Sequence, residues 1–141
     1  MNFRPLLRPR KGSQKGFTLV EVLAVLIIVA ILAGVGTPIY LNYIKSARSA
    51  DAQTTISAIV TAEKIHYQKT GRYLGQLDEL RKGGVQIDEA TEVNWKFDIG
   101  ASEQQFTDVK ATSTEEMPGG AGHTVEYKVQ TGKFTGYGID D

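Results

Sequence analysis

The residue types that usually do chemistry are sparse in this chain and poorly placed to act together. His66 and His123 are the only histidines; they fall in different predicted elements without converging partners, so surface or packing roles are expected of both. The acidic pairs Asp88-Glu89, Glu115-Glu116 and Asp140-Asp141 offer the oxygens that calcium prefers, but no EF-hand spacing frames them and they read as solvated loop charges. Pro118-Gly119-Gly120-Ala121-Gly122 lacks the Lys-Ser/Thr ending of a phosphate-binding loop and reads as a flexible tip. Trp95, Tyr127, Phe134 and Tyr137 recur at strand positions, where aromatic side chains more often pack across strands than bind ligands. The chain has no cysteine, which excludes disulfides, thiolate catalysis and Cys-ligated metals. Neither enzymatic activity nor a cofactor or metal is expected.

One acid stands apart. Glu21 lies inside Phe17–Leu41, FTLVEVLAVLIIVAILAGVGTPIYL, a run of about 25 residues that spans roughly 37 Å as a helix. That length crosses a hydrocarbon core of ~30 Å. A strongly polar group in such a span costs about 2.5–3.5 kcal/mol at the centre and less near an end. Neither a signal peptide nor a plain anchor requires it. An acid one turn into a helix favours the N-terminal end electrostatically, which accounts for Glu21 alone but not for its surroundings.

Those surroundings are lopsided in charge. Arg4, Arg8, Arg10, Lys11 and Lys15 precede Gly16, and every acid follows it. Removing residues 1–16 takes away five of the 16 basic side chains and none of the 16 acidic ones, leaving a formal charge of −5. A cationic segment ahead of an apolar helix stays on the cytoplasmic side, so the helix inserts with its N-terminus inside and the rest outward. The acidic remainder argues against general nucleic-acid binding, which needs clustered Lys and Arg, and leaves room only for a local basic patch.

The run Lys15-Gly16-Phe17-Thr18-Leu19-Val20-Glu21-Val22-Leu23, continued by unbroken apolar sequence, resembles the class III signal of type IV pilins and pseudopilins. Gly16 has no side chain to keep an extended leader away from a protease. The resemblance implies cleavage between Gly16 and Phe17 by a prepilin peptidase, N-methylation of Phe17, and an assembly role for Glu21 beside the Phe17 amine. It also implies a structural subunit of a type IV pilus or related filament, formed by self-association on an inner-membrane assembly platform. Before assembly such a chain is a single-pass inner-membrane protein in contact with lipid, with its N-terminus cytoplasmic. Afterwards it is extracellular in a pilus or periplasmic in a pseudopilus. A type II secretion pseudopilin is the alternative within the family; the calcium-site signature of its major members is not visible here. Outside the family stand a membrane-anchored binding module that never polymerises, and a secreted domain cut conventionally near Ala33-Gly34-Val35-Gly36.

Positioning these residues falls to a long helix and a small sheet. We expect four segments: a leader (1–16), an apolar membrane or filament-core helix (17–41), an amphipathic helix (42–70), and an α+β domain closed by an antiparallel sheet (71–141). Gly34, Gly36, Thr37 and Pro38 weaken the helix, since glycine costs about 1 kcal/mol against alanine and proline removes a hydrogen bond. Pro38 sits where many family members carry a kink, and this stretch is a candidate for melting on assembly. Tyr40, Tyr43 and Lys45 suit the membrane interface. Ala52, Ile56, Ile59, Ala62, Ile65 and Tyr67 form an apolar face, and Thr70-Gly71 ends one helix that starts near residue 18. A short helix is expected within Gln76–Lys82. Strands are expected at Val93–Ile99, Phe106–Thr112, Thr124–Val129 and Lys133–Gly138.

If Gly16 is the cleavage residue, Gly16→Leu leaves uncut precursor in the membrane. Intact-mass measurement checks this, and a product beginning at Phe17 in that variant contradicts it.

Overall fold

A computed structural model describes residues 16–139; Arg4, Arg8, Arg10, Lys11, Lys15 and the Asp140-Asp141 pair lie outside the described residues. The chain divides into two units, one ending at Pro38 and the other beginning at Ile39. Helix α1, Leu19–Thr70, contributes to both. It ends where the sequence predicts: Gly71 takes φ 75° and its N–H bonds the Tyr67 carbonyl at 2.7 Å, the left-handed stop that glycine adopts without a Cβ penalty.

In the unit beginning at Ile39, α1 buries Ser49, Ala52, Thr55, Ile56, Ile59, Val60 and Glu63. Steps of one and three residues keep these on one helical face. The face packs on a four-stranded antiparallel meander, β1 Trp95–Ser102, β2 Gln105–Ser113, β3 Thr124–Lys128 and β4 Lys133–Gly136, ordered as in the chain. Ile56 and Ile59 join Trp95, Val109, Ala111 and Val125 in one core. The result is the expected α+β architecture.

Phe106 and Val109 both point inward although three residues apart. A bulge reconciles them: Ala101 pairs with Phe106 and Gly100 with Asp108, leaving Thr107 unpaired. The Thr107 hydroxyl donates instead to the Gly100 carbonyl at 2.7 Å, and the alternation resumes one residue out of step. On the outer face Asp98, Lys110 and Glu126 stand in one cross-strand row of alternating charge, a favourable arrangement for solvated strands.

Three sequence expectations need correction. Val93 and Asn94 belong to a short helix, α3 (Glu89–Asn94), following α2 (Leu77–Lys82), and β1 starts only at Trp95. The Asp88 carboxylate caps α3 by accepting from the Ala90 N–H at 3.2 Å, and Thr91 buries its inner side; the alternation at Val93 is a coincidence of spacing. Ile65 and Tyr67 are 45% and 40% exposed because the buried face of α1 turns through Val60 and Glu63 instead. The last two strands also end earlier, at Lys128 and Gly136.

Truncating Ile56 leaves a cavity in a fully buried site. Ile56→Ala is expected to lower stability by about 2–5 kcal/mol, whereas Ile65→Ala stays within about 0.5 kcal/mol. Thermal unfolding of the detergent-solubilised chain, followed by near-UV circular dichroism of Trp95, measures both.

Candidate functional site

Gly16 and Phe17 precede α1 in non-regular backbone. A Cβ at Gly16 would meet nothing within 4 Å, and Phe17 is 88% exposed. Glu21 does not turn to Phe17. Its Oε2 accepts the Thr18 N–H at 2.8 Å and the Thr18 hydroxyl at 3.0 Å, while the Thr18 hydroxyl accepts the Glu21 N–H at 3.2 Å. This is a reciprocal capping box, in which the first helical turn satisfies donors that would otherwise lack partners. Its Thr-x-x-Glu spacing is visible in the sequence. Only one carboxylate oxygen is engaged: among the described residues Glu21 Oε1 accepts no hydrogen bond.

From Leu19 to Leu41 the side chains of α1 are exposed. The most apolar 18-residue window has mean hydropathy 2.8 and no buried residue. Gly34, Gly36 and Pro38 lie within α1. Pro38 has no N–H for the Gly34 carbonyl. The Thr37 hydroxyl donates back to the Ala33 carbonyl at 2.8 Å, competing with the backbone ladder. α1 continues through this stretch with one backbone donor missing at Pro38.

The other candidates do not converge. His123 stacks on Tyr137 with centroids 4.2 Å apart, and its Nε2 lies 3.1 Å from the Gly119 carbonyl. His66 is on α1. Among the described residues no three His, Asp or Glu side chains gather as metal ligands would. Trp95 is buried, and Tyr127 packs across the β3–β4 hairpin on Phe134 at 4.9 Å.

The sequence reading missed Glu63. Its side chain is fully buried in α1, and its two oxygens accept the N–H groups of Leu74 at 2.9 Å and Gly75 at 2.8 Å. Both partners lie in the irregular segment between α1 and α2, so the carboxylate clips that segment to the helix. Gly75 has φ 67°, and a Cβ there would approach the Ala101 carbonyl oxygen to 2.8 Å; glycine is required for the clip to close. The spacing from Ile56 and Ile59 places Glu63 on the buried face, but a carboxylate there has no partner within the helix, and its partners are brought to it only by the fold.

A helix with an exposed apolar half and an amphipathic half, the latter seated on an antiparallel meander, defines the pilin-like α+β class. Residues 11–37 match the prokaryotic N-terminal methylation motif. The chain is 28% identical over 127 residues to a fimbrial protein of Pseudomonas aeruginosa, covering 90% of this chain and 74% of the relative. It is 30% identical over 122 residues to the type IV major fimbrial protein FimA of Dichelobacter nodosus, covering 85% and 66%. Over 53 residues it is 40% identical to the prepilin peptidase-dependent protein D of Escherichia coli K12, covering 38% and 36%. The chain belongs to the type IV pilin and pseudopilin family.

Replacing Glu63 with Leu leaves two part-buried N–H groups without their acceptor, each costing up to about 1–3 kcal/mol. We expect a correspondingly lower unfolding midpoint and loss of hydrogen-exchange protection at Leu74 and Gly75. Wild-type protection at those two amides in Glu63→Leu would contradict the clip.

Proposed function

We propose that this chain is the structural subunit of a type IV pilus, made as an inner-membrane precursor, trimmed between Gly16 and Phe17 and N-methylated on Phe17. The observation that carries this reading is the exposed apolar helix beginning immediately after the Gly16-Phe17 junction, with a carboxylate in its first turn. Leu32 and Ile39 are each 65% exposed. Such a surface needs lipid before assembly and other copies of itself afterwards. The fimbrial names of the relatives matched over most of this chain favour a pilus over a secretion pseudopilus.

The leader orients insertion, since five basic side chains hold the N-terminus on the cytoplasmic side while the C-terminal unit faces outward. A prepilin peptidase and an inner-membrane assembly platform are the partners this route requires. Cleavage creates a cationic amine at Phe17, and methylation keeps its charge. Amine and carboxylate must then both enter an apolar core. Thr18 occupies Oε2 of Glu21, and Oε1 is available to the Phe17 amine of a neighbouring copy. Leaving either charge buried alone costs about 3–5 kcal/mol, so the pair selects the axial register between neighbours more than it adds raw stability. Gly34, Gly36 and Pro38 give the helix a stretch that can lose order as subunits pack.

Glu21→Val is expected to insert and to be trimmed, yet to yield at least about tenfold fewer filaments as the sole subunit, since 1.4 kcal/mol already corresponds to a factor of ten. Electron microscopy of sheared surface material, with intact mass for processing, reads both. Abundant filaments of normal register made only of this variant would refute the role.

A further inference from the structure

The unit beginning at Ile39 leaves a furrow along one side of α1. A hollow of about 650 Å³ lies between Ala62, Ile65 and Lys69 of α1 and Leu80 and Val85 of the following segment. A second hollow of about 410 Å³ lies beside α3, with Ala58 and Gln86 lining both. Small side chains on α1 here, Ser57, Ala58 and Thr61, let a neighbour come close to the helix.

Within residues 44–139, three large apolar side chains are exposed: Ile65, Tyr67 and Val93. Tyr67 already has a partner, stacked on Tyr73 with centroids 4.3 Å apart. That leaves Ile65 at the furrow, 45% exposed, and Val93 on α3, 49% exposed. Each has a charge four residues away on the same helical face, and the two charges are opposite. Lys69 follows Ile65; Glu89 precedes Val93. Neither Lys69 nor Glu89 enters an ion pair among the described residues. Glu92, next to Val93, pairs with Arg81, and the Asp88 carboxylate caps α3 through the Ala90 N–H, so Glu89 is the acid of that patch left without a partner among the described residues. The two patches match in apolar character and are complementary in charge, but they are different surfaces. A contact between unlike patches repeated from copy to copy is heterologous and builds an open array rather than a closed dimer.

We infer that the Glu89–Val93 face of α3 in one copy docks at the Ile65–Lys69 end of the furrow in a second copy, with Val93 against Ile65 and Glu89 beside Lys69. This rests on the filament reading above and adds to it a lateral contact between the C-terminal units, separate from the N-terminal helices.

The chain has no cysteine, so introduced thiols report without background. In the full-length protein, Ile65→Cys combined with Val93→Cys is expected to give a ladder of disulfide-linked dimers, trimers and larger species in oxidised, sheared filaments. Either substitution alone gives monomers, and the two single variants co-assembled give dimers without a ladder. Lys69→Glu and Glu89→Lys each lower filament yield severalfold, and the double reversal recovers it. Normal filaments without a ladder and indifferent to both reversals would overturn the contact while leaving the pilus reading intact. Disulfide capture of a different protein in place of the ladder would also overturn it. A trimmed wild-type chain that forms no filaments would overturn both.

Discussion

The apolar side chains between Phe17 and Leu41 constrain everything else about this protein. In the structure they are exposed, and water is an unfavourable surrounding at about 25 cal/mol for each Å² of apolar surface. A bilayer can cover such a helix, as can a bundle of identical helices. A basic leader suits the first environment because it fixes the direction of insertion. The proposed removal of residues 1–16 suits the second, because five cations ahead of the helix would otherwise have to enter or flank a packed core.

Glu21 acquires its meaning from the same constraint. In water an acid at the third helical position is an ordinary cap, and the bonds to Thr18 are the ones a capping box makes. Between apolar helices the same carboxylate becomes a demand for a cation. The capping box engages Oε2 and leaves Oε1 open, so local structure and the proposed assembly contact need not compete for the same oxygen. The C-terminal unit is organised differently: its buried carboxylate, Glu63, is satisfied completely inside the chain by two backbone N–H groups. One acid is saturated and structural; the other is half-used and exposed.

Much of this was legible in the sequence where a pattern is local. The long helix and its Gly71 stop follow from uninterrupted periodicity and a glycine at the right place. The β3–β4 hairpin follows from two strand-like runs around Gln130-Thr131-Gly132. Two features were not legible because they depend on distant partners. Val93 continued the alternation of Trp95, Phe97 and Ile99, and only the Asp88 cap and the burial of Thr91 show that it belongs to α3. Glu63 shares the helical face of Ile56 and Ile59, but its residue type suggests a surface acid until Leu74 and Gly75 fold back onto it. At the candidate site, Gly16, Phe17 and Glu21 were singled out by resemblance to a prepilin signal and Pro38 by resemblance and residue type, while the engagement of Glu21 by Thr18 emerged from the structure.

The central claim is that one helix surface exchanges lipid for copies of itself. A photo-crosslinking residue placed at Ile28, 57% exposed within the apolar run, tests it directly in the full-length chain. Irradiated in membranes before assembly, it should form adducts with lipid. Irradiated in sheared filaments, it should link chain to chain through α1 and yield no lipid adduct. Lipid adducts persisting in the filament fraction, with no chain-to-chain product, would contradict the account.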